Sequence, residues 1–278
     1  MLNKIEIQDI IDIAKQAGDA IMKIYQQDFQ VEYKADESPL TQADKSAHNI
    51  IVEGLEQLTI NYPLPTTHNS LPTGEIPVLS EEGKHLPYEQ RKDWDYFWLV
   101  DPLDGTKEFV KKNDEFTVNI ALIHKDTPVL GVVYAPALNQ LYYAKKGEGA
   151  FKQEEIEGKI QTSKLPKPKT RKLGEIIVVA SKSHMSDETK QFIDALTIDY
   201  PLLTTHSIGS SLKICLVAEG EADIYPRLGP TMEWDTGAAH AIVLESGQKL
   251  QKYTLEYGYQ KHLYNKEILL NDWFVVSK

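Results

Sequence analysis

The run WLVDPLDGTKEF, Trp98 to Phe109, sets the hardest condition on the fold, because an apolar strand ends in two aspartates separated only by Pro-Leu and followed by Gly-Thr. Proline at 102 fixes its own φ and is expected to halt strand pairing, while Gly105 permits a tight turn into the next element. Asp101 and Asp104 then converge, and the carbonyl of Leu103 is left without a ladder partner beside them. Two like charges ~4 Å apart repel by about 4 kcal/mol at an effective dielectric near 20. A fold that accepts this cluster must supply a cation or a proton, and hard cations take carboxylate and carbonyl oxygens alike. A solvated Asx turn that merely closes a strand is the competing reading.

Two further acidic motifs bear on the choice. LSEEG, Leu79 to Gly83, places Glu81 and Glu82 after a short apolar run, again at a strand end. MEWDTGAAHA, Met232 to Ala241, places Asp235 at the start of a helix, whose amides favour negative charge. Taken singly, the first is an ordinary solvated pair and the second an ordinary capping aspartate.

The periodicities supply the frame. Ile10, Ile13, Ala17, Ile21 and Ile24 recur at helical spacing, one buried stripe of an amphipathic helix. A second helix is expected from near Thr41, with Asp44 in its first turn in a capping-box-like arrangement and Ala47, Ile51, Leu55 and Leu58 inward. Asn61 to Pro77 is proline-rich and aperiodic, a loop or irregular crossing that could shape the entrance to a site. Strands follow at Tyr96–Val100, Phe116–Ile123, Val129–Pro136 and Leu141–Ala144, with Asp126-Thr127-Pro128 as the turn between the second and third, an antiparallel α+β pattern. The polar segment Thr162 to Glu175 offers little to bury and is the expected boundary between residues 1–161 and 162–278. Beyond it strands alternate with helices, which indicates a layered α/β half.

Composition excludes several classes of function. With 30 Lys and Arg against 41 Asp and Glu the formal charge is −11, so nonspecific binding to nucleic acid or anionic lipid is disfavoured, and a phosphorylated ligand needs local cations or a small basic pocket. Cys215 is the only cysteine, so no intramolecular disulfide or Cys-x-x-Cys site can form, and its apolar helical setting indicates burial. The first residues mix charge into an apolar pattern unlike a signal peptide, and no stretch reaches the roughly 20 apolar residues of a spanning helix. A cytoplasmic setting is the expectation. His240 has no partner histidine at zinc spacing and is expected to be packed or hydrogen-bonded.

LSEE, DPLDGT and EWDTGAAHA stand in the order and spacing of the inositol monophosphatase superfamily, and the chain resembles it from the first helix to the final WFVVS. Within it, DPLDGTKEF, EFTVNIALI and GSSLKICLVAEGEADIYPRLGP resemble the bacterial 3'(2'),5'-bisphosphate nucleotidases, whereas inositol monophosphatases typically read Gly-Thr-Thr-Asn-Phe where this chain has Gly105-Thr106-Lys107-Glu108-Phe109. The resemblance implies a layered αβαβα sandwich with an antiparallel N-terminal sheet and a smaller mixed C-terminal sheet. It implies two or three Mg²⁺ ions on Glu81, Asp101, the Leu103 carbonyl, Asp104 and Asp235, and an attacking water oriented and deprotonated by Asp44 and Thr106. Amides of Gly105 and Thr106 would take phosphate oxygens. Gly209, Ser210, Ser211, Lys213, Arg227, His184 and Asp235 would contact the nucleotide, with Glu82 and Glu108 orienting ligands or waters.

The implied activity is hydrolysis of adenosine 3',5'-bisphosphate to AMP, sensitive to Li⁺ and Ca²⁺, by a monomer or homodimer that could associate peripherally with the inner membrane. An inositol or sugar phosphate monophosphatase of the same fold, and a non-catalytic phosphonucleotide sensor, are the competing functions.

Overall fold

The computed structural model describes residues 2–27, 39–61, 75–180 and 185–278. Two helices open the chain, α1 (Ile7–Tyr25) and α2 (Pro39–Asn61), and pack on each other. α2 starts at Pro39, just before Thr41, because proline is suited to the first helical position where no intrahelical N–H is needed. The capping box around Thr41 and Asp44 is therefore not formed: no acidic residue lies in the first turn, and Asp44 sits a turn further in, buried. The aperiodic crossing begins only after Asn61, and most of it lies outside the described residues.

The first sheet follows chain order through β1 (Val78–Ser80), β2 (Tyr96–Asp104), β3 (Thr117–His124), β4 (Thr127–Ala135), β5 (Gln140–Lys145), β6 (Gly149–Ile156) and β7 (Lys159–Lys164). It is antiparallel except at its edge, where β1 runs parallel to β2. The second sheet has strand order β12-β11-β13-β10-β8-β9, formed by β8 (Glu175–Val179), β9 (Leu202–His206), β10 (Ile224–Arg227), β11 (Lys249–Thr254), β12 (Gly258–Lys261) and β13 (Phe274–Ser277). It is mixed, parallel between β10, β8 and β9 and antiparallel elsewhere.

Strand alternation explains how the layers stack. Trp98 and Val100 of β2 point into a core beneath α1 and α2, while Phe97 and Leu99 point the other way, into a core shared with α6 (Leu212–Glu219) and α7 (Glu233–Glu245). That second core also takes Tyr225, Leu250, Phe274 and Val276 from the second sheet, so α6 and α7 lie between the sheets. The outer face of the second sheet, with Val178, Ile224 and Val275, is closed by Ile193 of α5 (Asp187–Leu196). The five layers are αβαβα, as expected.

Several local expectations are revised. β2 does not stop at Val100: it pairs through to Asp104, with Asp101 opposite Asn119 and Asp104 opposite Thr117. Pro102 and Leu103 together face the single residue Val118, a bulge that absorbs the proline's missing N–H without ending the ladder. The turn before β4 is Lys125-Asp126, with Lys125 left-handed at φ 58°, and Thr127 and Pro128 already belong to the strand. The polar crossing between sheets narrows to residues 165–174, since β7 and β8 claim its two ends.

The seating of α7 on the first sheet depends on Gly131 in β4, where an added Cβ would lie 2.1 Å from the Ala238 carbonyl oxygen. The Ala238 carbonyl is backbone and Ala241 Cβ, 2.9 Å away, is fixed to its own backbone, so neither can rotate away. Gly131→Ala is expected to cost about 1–3 kcal/mol of stability or more, and an unaltered urea midpoint would show that α7 can shift off the sheet freely.

Candidate active site

The acidic residues singled out in the sequence arrive from three layers. β1 ends at Ser80, and the Glu81 N–H donates to the Val100 carbonyl (3.1 Å), which sets Glu81 beside the end of β2. Asp101 is 1% exposed, and its Oδ1 accepts the Leu103 N–H across the bulge (3.0 Å). Asp104 closes β2, and Gly105, left-handed at φ 95°, turns the chain into the short helix α4 (Thr106–Val110). Asp235 sits at the third position of α7 and accepts the Met232 N–H on Oδ2 (2.8 Å). It caps the helix with one oxygen, so the ordinary reading of this residue and its place in the cluster are both realised.

The groups perturb one another in a way that only proximity allows. Burial, then the charges of Asp104, Glu81, Asp235 and Asp44, hold the Asp101 carboxyl well above the usual carboxylate range. Burial and Asp104 push Asp235 up to about 8, and burial with Glu82 and Glu81 pushes Asp44 up to about 8. Glu81 lies at the exposed rim and is raised by loss of water and by Asp104, against a hydrogen bond with Asp101 that two carboxyls can make only by sharing a proton. Asp104 is raised by burial despite the opposing pull of Lys213 and Ser211.

Among the described residues no three His, Cys, Asp or Glu groups stand in a ready-made metal cage. The donor chemistry nonetheless fits a hard divalent cation: the set is all oxygen, and its mutual repulsion falls when positive charge enters. A cation would have to draw the side chains closer than they stand.

A second wall faces the carboxylates. Ser211, just before α6, has its Oγ 2.9 Å from Asp104 Oδ2 and 2.6 Å from the Asp235 carbonyl, and accepts the Asn119 side-chain N–H (3.0 Å). Lys213 is half-buried, its ammonium held below its ordinary pKa by loss of water although Asp104 opposes this. Asp104, Ser210, Ser211, Lys213, Arg227 and Asp235 line one open cleft of about 220 Å³. Within it, the Ser210 hydroxyl and Arg227 Nε are buried without a hydrogen-bond partner among the described residues.

Other expected residues stand differently. Thr106 is exposed at the start of α4, which packs against α2, but no hydrogen bond joins it to Asp44. The Gly209 N–H is already taken by Glu115 Oε2 (2.8 Å). A Cβ at Gly209 would come within 2.5 Å of Glu108 Cγ and 2.6 Å of the Glu115 carbonyl oxygen, so glycine here lets two loops approach. Glu108 lines the cleft, Glu82 is exposed near Asp44, and His184 lies outside the described residues. His240 is packed, its Nδ1 3.0 Å from the Tyr264 hydroxyl, and Cys215 is buried, both as expected.

Sequence reasoning missed Asn119, Glu115 and His85. Asn119 was legible as the one amide in an otherwise apolar strand, FTVNIALI. His85, whose Nε2 lies 3.0 Å from the Ser80 carbonyl beside Glu81, and Glu115 carry no local signal, since only the fold brings them to the site.

The chain matches the inositol monophosphatase family over residues 4–274. A Salmonella typhimurium protein named 3'(2'),5'-bisphosphate nucleotidase CysQ is 46% identical over 257 residues, covering 90% of this chain and 93% of that protein. Its Escherichia coli K12 namesake is 43% identical over 274 residues, 98% of this chain and 99% of the other. Among solved structures, CysQ from Bacteroides thetaiotaomicron superposes with a TM-score of 0.83 at 44% identity, covering 98% of this chain and 96% of that one. Inositol monophosphatase II from Staphylococcus aureus, at 21% identity and a TM-score of 0.70, shares the fold.

With Asp44 and Asp235 near 8 against an ordinary 3.8, the folded chain binds more protons than the unfolded one between about pH 4 and pH 8. Stability of chelator-treated protein is therefore expected to fall as pH rises through that window and to level off above it. Added Mg²⁺ is expected to raise the thermal midpoint more at pH 8 than at pH 5, where protons compete for the same oxygens. A midpoint shift of equal size at both pH values would mean the cation binds elsewhere.

Proposed function

The chain belongs to the inositol monophosphatase family, and from that premise we propose that it is a Mg²⁺-dependent 3'(2'),5'-bisphosphate nucleotidase that hydrolyses adenosine 3',5'-bisphosphate to AMP and phosphate. The observation that carries this reading is the cleft's two-sided charge: a carboxylate cluster that needs cations at one end and Lys213 with Arg227 on the facing wall. A substrate with two phosphates satisfies both ends, the reacting one at the carboxylates and the other at the basic wall. A simple polyol phosphate leaves the basic wall unused.

Glu81, Asp101, the Leu103 carbonyl, Asp104 and Asp235 would hold the cations. When bound, Mg²⁺ lowers the pKa of water from about 15.7 toward about 7 and neutralises phosphate oxygens and the leaving oxygen. Asp44, facing Asp101 and Glu81, is the group placed to take the proton of the attacking water, and Thr106 on α4 would orient that water from the other side. Because the two are not hydrogen-bonded to each other, the water itself would bridge them. The N–H groups of Gly105 and Thr106 stand at the opening of α4 and would donate to phosphate oxygens. Ser211 fixes Asp104 by a hydrogen bond, and the partnerless Ser210 hydroxyl and Arg227 Nε would find acceptors on the second phosphate.

The names of the CysQ relatives support the nucleotide as substrate. No helix among the described residues is long and apolar enough to cross a membrane.

Side-by-side specificity constants are expected to favour adenosine 3',5'-bisphosphate over inositol 1-phosphate and fructose 1,6-bisphosphate by roughly 100-fold or more, and a sugar phosphate as the best substrate would overturn the subfamily assignment. Asp101→Asn is expected to lower turnover at least about 1000-fold with an equal or higher thermal midpoint in the absence of cations, because a repelled carboxylate is gone. Substantial activity in the folded variant would remove Asp101 from the site.

A further inference from the structure

Resting on the nucleotidase reading, we propose that Lys111 is a specificity residue that pairs with the substrate's non-reacting phosphate in the cleft it shares with Lys213 and Arg227, and that Tyr25 is the positioning residue that aims it. After α4 ends at Val110, the chain makes a short turn through Lys111, Lys112, Asn113 and Asp114 before entering β3. Lys111 and Asn113 line the cleft. Lys112 and Asp114 have φ of 55° and 68°, the left-handed region that residues with a Cβ rarely adopt. Such conformations persist only where neighbouring structure imposes them.

Tyr25, the last residue of α1, imposes them here. Its hydroxyl donates to Asp114 Oδ1 (2.8 Å) and accepts the Asp114 N–H (3.2 Å). Its carbonyl accepts the Lys112 ammonium, which also lies 4.4 Å from the centre of the Tyr25 ring. The ring is itself wedged against Phe109 and Phe116, the residues on either side of the turn. Alternate residues are thus divided between two tasks: Lys112 and Asp114 fasten the turn to α1, and Lys111 and Asn113 are left to the cleft. The far end is fastened too, since Glu115 accepts the Gly209 N–H from the opposite loop, fixing the width of the cleft.

Lys111 is exposed and makes no ion pair among the described residues. Of the two acids that flank this turn and line the cleft, Glu115 is held by the Gly209 N–H and Glu108 makes no ion pair with Lys111, so the ammonium is left for a ligand. A hydrated lysine at a cleft mouth gives a modest, salt-sensitive contribution, which suits discrimination between one phosphate and two.

The test is the ratio of kcat/KM for adenosine 3',5'-bisphosphate to that for adenosine 3'-monophosphate, in the full chain with Mg²⁺. Lys111→Ala is expected to lower this ratio about tenfold, chiefly through KM for the bisphosphate, with a weaker dependence on salt, and Lys111→Arg to recover most of it. Tyr25→Phe is expected to lower the ratio in the same direction, and the double variant to be no worse than Lys111→Ala alone. Equal losses on both substrates, or an unaltered ratio, would overturn the inference. If wild-type protein hydrolyses neither nucleotide, the functional reading fails. Equilibrium binding of adenosine 3',5'-bisphosphate to wild type and Lys111→Ala then decides the present point, and equal affinities overturn it.

Discussion

Mutual repulsion among the carboxylates at the end of β2 is the constraint to which the surrounding structure answers. Asp101 is almost fully buried, and every neighbour that raises it, Asp104, Glu81, Asp235 and Asp44, is itself acidic. The fold tolerates this by small, separate concessions. The bulge at Pro102-Leu103 turns the Leu103 N–H onto Asp101, Ser211 with Asn119 braces Asp104, and the Met232 N–H takes one oxygen of Asp235. Lys213 adds a half-buried positive charge that pulls Asp104 down while losing water itself. Each concession satisfies one oxygen and leaves the group's charge in place, so the site remains short of positive charge by construction.

The sequence made the acids legible and their surroundings much less so. The motif DPLDG announces a cluster because an apolar strand precedes it and its two aspartates are separated only by Pro-Leu, and that inference needed no tertiary knowledge. The helix with a strong apolar stripe, α1, the helix α7, which is buried on nearly every side, and the apolar strands β2, β3 and β4 were equally plain. The strands β6, β7, β11 and β12 were not: their residues, such as KQEEI, KIQTSK and GYQK, are polar and largely exposed, so pairing is decided by a neighbouring strand and not by a hydrophobic face. Pro102 misled for a related reason. Proline forbids a ladder hydrogen bond but does not forbid a bulge, and only the register against β3 shows which of the two occurs. Gly209 was expected, from the family resemblance, to contact the nucleotide. Its actual partner, Glu115, is 94 residues away in sequence, beyond any local reading.

The position of Asp235 shows how far the site depends on groups that touch no substrate. The first turn of α7 is held by Glu233, which is fully buried and accepts the N–H groups of Asn265 (2.7 Å) and Lys266 (3.1 Å) as well as the Lys266 ammonium (2.7 Å). Asn265 in turn accepts a hydrogen bond from Arg91 (2.7 Å), which follows the loop that carries Glu81. Asn271 donates from one side-chain amide toward Thr231, the Met232 carbonyl and Thr236, pinning the other side of the same turn.

Asp235 is thus held from behind by a buried polar network that reaches, through Arg91, the segment following the loop that carries Glu81. A group of like charges would relax apart if its supports were flexible. Because the network behind α7 is buried, the backbone that carries Asp235 is fixed before any cation arrives, and closing the remaining distance between the carboxylates is left to rotation of their side chains as the charge enters.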